Sequence, residues 1–335
     1  MHSDAETPPV ERQVLAADPV PEVRRADIDA ARARLGTRIR RTPTLRIESG
    51  EFGSDVPEFW LKLESLQHTG AFKARGALNN LLARPVPEAG VCAASGGNHG
   101  QAVAWAAREL GVPAAIFVPT TCPPIKRQRL LEYGADLTVV GDVYDESLLH
   151  AERFAQDSGA RLVHPFDQVL TIAGAGTVTA EISEDVEGLD TLLVPVGGGG
   201  LLAGALAWLD DVPTTVVAVE PVTCRCLGAA LDAGRPVHVE VSGAAVDSLG
   251  PSRIGSIAFS AAQRSKVHHI EVTNEAITAT QRMAWEQLRV GLEGGGATAL
   301  AALVSGAYVP AQGERVGVLS CGGNVDIVAL IGGSS

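Results

Sequence analysis

The sequence predicts an α/β protein built from mostly parallel sheets with helices on both faces. Three observations carry this. Short apolar runs alternate with helix-like segments from Val91 onward, glycine-rich turns follow several of those runs, and 335 residues amount to about two domains.

Taken in order, residues 1–20 are rich in proline and acid without periodicity, which predicts a flexible tail. A helix follows, with Val23, Ile28, Ala31 and Leu35 as its apolar positions. The arginines from Arg24 to Arg46 are interspersed with Asp27, Asp29 and Glu48, so they read as a solvated face rather than a polyanion site. Phe59–Glu64 alternates as a strand, with Lys62 and Glu64 on its polar face. Val91–Ala94 predicts another strand, and a helix opens near Asn98 with Val103, Ala106 and Leu110 on one side, stopped by Gly111 and Pro113. The runs Ala114–Val118 and Leu137–Val140 flank a helix that begins at Pro123–Pro124 and ends at Gly134. Leu192–Val196, Val216–Val219 and Val316–Leu319 are the later strands.

Composition removes several function classes. Lys plus Arg total 27 against 39 Asp plus Glu, a net charge of −12, and aromatics are 4%. A nucleic-acid binder needs a basic footprint and stacking rings, so none is expected as a partner. Five cysteines, an odd number without a spaced framework, read as reduced thiols in a cytoplasmic protein, and no signal peptide is visible. The uncharged stretches 191–209 and 294–313 approach membrane-spanning length, but Gly runs and Pro interrupt them. They read as buried α/β turns, with no membrane partner. Only four lysines are present, Lys62, Lys73, Lys126 and Lys266, so any lysine chemistry has four candidates.

Ligands of parallel sheets bind beyond the carboxyl ends of strands. Three turns stand there: Ser95-Gly96-Gly97-Asn98-His99-Gly100, Gly197-Gly198-Gly199-Gly200 and Cys321-Gly322-Gly323-Asn324. Successive amides of the tetraglycine, at the start of a helix, can close around a phosphate. Its spacing matches neither a dinucleotide fingerprint nor a nucleotide P-loop, and a tight turn without a ligand is the plain alternative. The Ser95–Gly100 turn has the same logic for a carboxylate. His99 by itself reads as a structural histidine. Lys73, in His68–Gly76, reads by itself as a solvated helix residue, and Lys126 and Lys266 sit beside arginines as surface positions do.

Together these segments resemble one family. Lys62-Leu63-Glu64, Thr69-Gly70-Ala71-Phe72-Lys73-Ala74-Arg75-Gly76-Ala77, Ser95-Gly96-Gly97-Asn98-His99, Gly197–Gly200 and Cys321-Gly322-Gly323-Asn324 follow one another as in the fold-type II pyridoxal-phosphate (PLP) enzymes. The similarity is to the threonine/serine dehydratase and serine racemase branch, and it runs from about Val23 to about Leu330. It implies a two-domain tryptophan-synthase-β-like architecture, with 21–70 and 158–335 as the large PLP-binding domain and 71–157 as a small domain closing over the substrate.

The resemblance also implies roles. Lys73 would carry PLP covalently and take the substrate's α-proton. Phe72 would pack beside the cofactor ring, Asn98 would donate to its phenolic oxygen, and Gly197, Gly198, Gly199 and Gly200 would hold its phosphate. Ser95, Gly97, Asn98 and His99 would bind the substrate carboxylate, largely through backbone amides. Cys321 would face the pyridine nitrogen and Glu293 would stand near the ring. A thiol of ordinary pKa, about 8.5, would leave that nitrogen largely unprotonated, which suits prompt loss of a β-hydroxyl. The implied function is a PLP-dependent ammonia-lyase turning L-threonine, L-serine or a related β-hydroxy-α-amino acid into a 2-keto acid and ammonia, in a homodimer.

Three departures matter. Where the racemases carry a second serine, this chain has Gly96, so racemisation is not expected as a main activity. Where many relatives bind Mg²⁺ or Ca²⁺, this chain reads Glu220-Pro221-Val222-Thr223-Cys224-Arg225-Cys226, and thiols are poor ligands for hard cations, so no metal is expected. Ala71 replaces the usual serine before Phe-Lys. Two alternatives stay open: a PLP enzyme of the same fold with a specialised β-substituted substrate, β-replacement or racemase activity, for which Ser242–Pro251 with Asp247 and Ser248 would line the pocket, and a non-catalytic α/β ligand-binding protein.

Overall fold

The computed structural model describes residues 19–332, so the expected tail over 1–20 lies, but for its last two residues, outside them. Among the described residues there are ten strands: β1 Thr44–Ile47, β2 Phe59–Leu63, β3 Val91–Ala94, β4 Ala114–Val118, β5 Asp136–Val139, β6 Arg161–Leu162, β7 Thr191–Pro195, β8 Thr215–Pro221, β9 His268–Val272 and β10 Val316–Ser320. They form a six-stranded sheet ordered β1-β2-β10-β7-β8-β9 and a four-stranded sheet ordered β5-β4-β3-β6. Only β1 runs antiparallel, against β2; every other pair is parallel. Residues 91–94 and 114–118 are strands as their apolar runs predict, and 137–140, 192–196, 216–219 and 316–319 shift by a residue or two at their ends.

The apolar runs are continuous because both faces of each sheet are covered. In β7, Leu192 and Val194 face a core shared with Ile172, Val178 and Leu202, while Leu193 faces a second core with Leu61, Val217 and Leu300. The four-stranded sheet has its own pair of cores, one around Ile116 and Val103 and one around Cys92 and Phe117.

Glycine does more than shape turns. A Cβ at Gly174 would lie 2.5 Å from the Arg75 carbonyl oxygen, and one at Gly204 would lie 2.7 Å from the Gly176 Cα. The helices Lys73–Leu82, Val169–Asp185 and Gly200–Leu209 therefore cross at a distance only glycine allows. Part of the glycine excess is spent on these crossings.

The polar face expected for β2 is not solvated. Lys62 and Glu64 are buried. Lys62 Nζ reaches the Thr42 carbonyl and Glu181, each at 2.8 Å, and Asp185 at 3.3 Å. Glu64 accepts from Arg75 at both oxygens. Alternation identified the face correctly, but β2 lies inside the sheet and the helix Val169–Asp185 covers that face, so its charges are compensated internally.

Candidate active site

The lysine loop is stitched to the turn after β10. Ser320 stands opposite Leu63 in the β2–β10 register, so the two chains leave the sheet side by side. Ala71 then pairs with Gly322, Phe72 N donates to the Cys321 carbonyl at 3.0 Å, and Gly323 N donates to the Gly70 carbonyl at 2.9 Å. The Ala71 methyl is buried against Gly322, which accounts for a small side chain at that position. Thr69 and Gly70, both at positive φ, turn the chain so that Lys73 becomes the first residue of its helix. Lys73 Nζ donates to the Pro165 carbonyl at 2.7 Å and lies 5.0 Å from the centre of the Phe72 ring. Burial lowers its pKa to about 8, against the opposing pull of Cys321 and Glu293. A usable fraction of the amine, roughly one in ten at pH 7, is therefore neutral.

Beyond β3, Ser95 Oγ accepts from Gly97 N at 3.2 Å and the helix Asn98–Leu110 begins. The first amides of a helix have no intrahelical acceptor and carry partial positive charge, which suits a carboxylate. The His99 ring is anchored on the backbone after β6. Its Nε2 donates to the Val163 carbonyl at 2.8 Å, and burial lowers its pKa to about 3, so the imidazole is neutral and structural. A Cβ at Gly96 would lie 2.4 Å from Cys122 Sγ: the Cys122 thiol occupies that space.

Asn98 Nδ2 donates to Glu293 Oε1 at 2.6 Å, and Asn324 Nδ2 donates to Asn98 Oδ1 at 2.8 Å. Burial raises the Glu293 pKa to about 7, although the Asn98 hydrogen bond works the other way. A Cβ at Gly322 would fall 2.2 Å from Glu293 Oε1, so any side chain there would displace the Glu293 carboxyl from its present place. Cys321 is buried, which pushes its thiol well above the ordinary range and keeps it neutral. Ser248 Oγ accepts from Gly295 N at 2.9 Å, and Asp247 pairs with Lys126 at 2.9 Å across the mouth of the site, beside Gly97.

The tetraglycine after β7 is enclosed. Side chains at Gly198 and Gly199 would strike the Phe166 ring and Ala258, and Gly199 has φ +86°. Its carbonyls are already taken: Cys226 Sγ donates to Gly197 at 3.1 Å, Gly255 N to Gly198 at 3.1 Å, and Ala203 N to Gly199 at 2.8 Å. That leaves the amides at the start of the helix Gly200–Leu209 for an anion. Nearby, Glu220 Oε1 accepts from Leu227 N, and its Oε2 accepts from Gly228 N and faces His269 Nε2, each at 2.9 Å.

The structure thus brings Phe72, Lys73, Ser95, Gly97, Asn98, Glu293 and Cys321 to one place, with Gly197–Gly200 opening beside them and the His99 ring bonded to the Val163 carbonyl. Pro165, Asn324 and Cys122 were not assigned roles from the sequence. Asn324 stood in a recognised motif, whereas no sequence signal marks Pro165 or Cys122.

A family model described as pyridoxal-phosphate dependent enzyme matches residues 35–322. The chain belongs to the pyridoxal-phosphate dependent enzymes. Within that family it is 35% identical over 321 residues to the biosynthetic L-threonine dehydratase of Corynebacterium glutamicum, covering 91% of this chain and 72% of the relative. It is 36% identical over 307 residues to an L-threonine ammonia-lyase of Geobacter sulfurreducens, covering 90% and 76%. Among solved structures, maize serine racemase superposes with a TM-score of 0.87 at 31% identity, covering 93% of this chain and 97% of that one. A threonine deaminase from T.th. gives 0.83 at 33% identity, covering 92% and 99%.

PLP is the cofactor of this family and of this chain, and the residues present fit it. A half-buried lysine with a lowered pKa, a helix start whose preceding carbonyls are already satisfied and a neutral buried thiol suit its aldehyde, phosphate and ring nitrogen, respectively.

Proposed function

We propose that this chain is an ammonia-lyase that removes the β-hydroxyl of L-threonine, L-serine or a related β-hydroxy-α-amino acid, giving a 2-keto acid and ammonia. The observation that carries the reading is Lys73: a half-buried amine with its pKa lowered to about 8, held on the Pro165 carbonyl where the glycine turns meet. When bound, PLP supplies an electron sink for charge developing at the substrate's Cα. Lys73 holds the cofactor and takes the α-proton. The amides of Ser95, Gly97, Asn98 and His99 hold the substrate carboxylate, and Gly197–Gly200 hold the cofactor's phosphate. Asn98 donates to the ring oxygen and Phe72 packs beside the ring. Cys321, as a neutral thiol, places no charge at the ring nitrogen, while Glu293 steadies Asn98. The hydroxyl leaves as water, taking up a proton equivalent to the one Lys73 removed from Cα, and the released unsaturated amine takes up water to give keto acid and ammonia.

The same reading takes the protein as cytoplasmic, which five free thiols support, and as a homodimer, for which sedimentation is the check. Among the described residues no helix is long and apolar enough to cross a membrane.

The test is keto-acid release by the holoenzyme across a panel of β-hydroxy and β-substituted amino acids. L-Threonine or L-serine is expected to give the highest kcat/KM; no keto acid from any member overturns the reading. Following the chirality of residual substrate separates elimination from racemisation. Inversion is expected to be slow, because Gly96 offers no side chain.

A further inference from the structure

Asn324 lies at the end of the turn after β10. Its Nδ2 donates at 2.8 Å to the Thr69 carbonyl and at 2.8 Å to Asn98 Oδ1, and Asn98 Nδ2 donates at 2.6 Å to Glu293 Oε1. The chain therefore reads Thr69 carbonyl, Asn324, Asn98, Glu293. It spans separate segments of sequence.

Such a chain has a direction, and here one end fixes it. A side-chain amide has an oxygen that accepts and an NH₂ that donates two hydrogens, whereas a backbone carbonyl only accepts. Asn324 must therefore turn its NH₂ toward Thr69. The same NH₂ reaches Asn98, which must offer Oδ1 in return. The Asn98 NH₂ is then forced to the other side, with one hydrogen on Glu293 and one left over.

Without Asn324, Asn98 could turn over. Burial raises the Glu293 pKa to about 7, so near neutrality this carboxyl exists both as an acceptor and as a donor. A protonated Glu293 could donate to Asn98 Oδ1, and the amide would then present the wrong atom to the ring. Asn324 is itself held in place: a Cβ at Gly70 would lie 2.6 Å from Asn324 Oδ1, and Gly70 is tied to Gly323 through a 2.9 Å backbone bond.

We propose that Asn324 is a positioning residue that locks the Asn98 amide with its free N–H aimed at the cofactor ring, whatever the protonation state of Glu293. This rests on the reading above that Asn98 donates to the ring oxygen.

The experiment compares holoenzyme carrying Asn324→Asp, Asn324→Ala, Asn98→Ala and the double change Asn324→Asp/Asn98→Ala. The readouts are the PLP dissociation constant and the visible absorption of bound PLP from pH 6 to 9, beside kcat and KM. Asn324→Asp keeps the shape but offers Asn98 only oxygens, so it reverses the chain. It is expected to weaken PLP binding by about tenfold, the loss of one buried hydrogen bond, and to make the absorption pH-dependent where the parent's is flat. Asn324→Ala should show the same signs, and the double variant should bind PLP no worse than Asn98→Ala alone. A merely structural asparagine would give additive losses and an unshifted pH profile, which overturns the proposal. If Asn98→Ala leaves affinity and absorption unchanged, the reading of Asn98 itself fails. If Asn98→Ala changes them and both Asn324 variants do not, only the proposal fails.

Discussion

Glu64 accepts from Arg75 at both carboxylate oxygens, Nε and Nη2 each at 2.8 Å, two residues beyond Lys73. Both side chains are buried, and Glu181 takes the remaining side of the guanidinium at 2.6 Å. The start of the lysine helix is thus clamped from behind by a planar, bidentate contact that a lysine at 75 would not reproduce.

Removing one partner of a buried set leaves charges without compensation, which costs about 3–5 kcal/mol. Arg75→Met is expected to destabilise the protein by that amount in urea unfolding, because Glu64 and Glu181 then face each other. Adding Glu64→Gln to Arg75→Met should recover part of the loss. A loss below ~1 kcal/mol for Arg75→Met would show that the clamp is not under load.

Glu293 gives a pH dependence with a definite sign. Burial first of all lifts its pKa from 4.5 to about 7 in the fold, so the native state keeps a proton that the unfolded chain releases. Glu293's own contribution to stability therefore falls as pH rises between those two values, by on the order of 3 kcal/mol across the window, against the rising contributions of His99 and His164, whose pKa values burial lowers to about 3 and about 4. Glu293→Gln should remove this falling contribution, so that the apoprotein's stability rises more steeply with pH through that window than the parent's does. The check is denaturant unfolding at pH 5 and pH 7.5; equal slopes for parent and variant would rule the assignment out.

Both oxygens of Glu220 are already engaged within the fold. Its carboxylate holds the first amides of the helix Cys226–Ala233 and faces His269. The holoenzyme is expected to keep the same activity and melting temperature with EDTA or with added Mg²⁺ or Ca²⁺. Glu220→Ala should cost about 1–3 kcal/mol through the lost cap. A rise of several degrees in Tm on adding Mg²⁺ would contradict this arrangement.

The parallel strands were legible because strands buried on both faces leave continuous apolar runs, as Val91–Ala94 and Ala114–Val118 do. The turns at their carboxyl ends were legible for the same reason. Lys62 shows the limit. Alternation placed it on a polar face, and only the sheet order reveals that a helix with Glu181 and Asp185 covers that face. Pro165 acts through its carbonyl, which every residue possesses, so nothing in its side chain signals a lysine partner. Cys122 takes up the space at Gly96 from a different loop. The role argued for Asn324 depends on the direction of a hydrogen-bond chain, which no motif spells out.

The proposed carrier of the cofactor is Lys73. Lys62 is the nearest rival in sequence, but its amine is buried among Glu181, Asp185 and the Thr42 carbonyl. The most direct measurement is borohydride reduction of the PLP-loaded protein followed by peptide mass mapping. The label is expected on Lys73 alone, and Lys73→Ala should abolish both labelling and turnover. A label on Lys62, Lys126 or Lys266, or no stable label at all, would show that Lys73 is not the carrier.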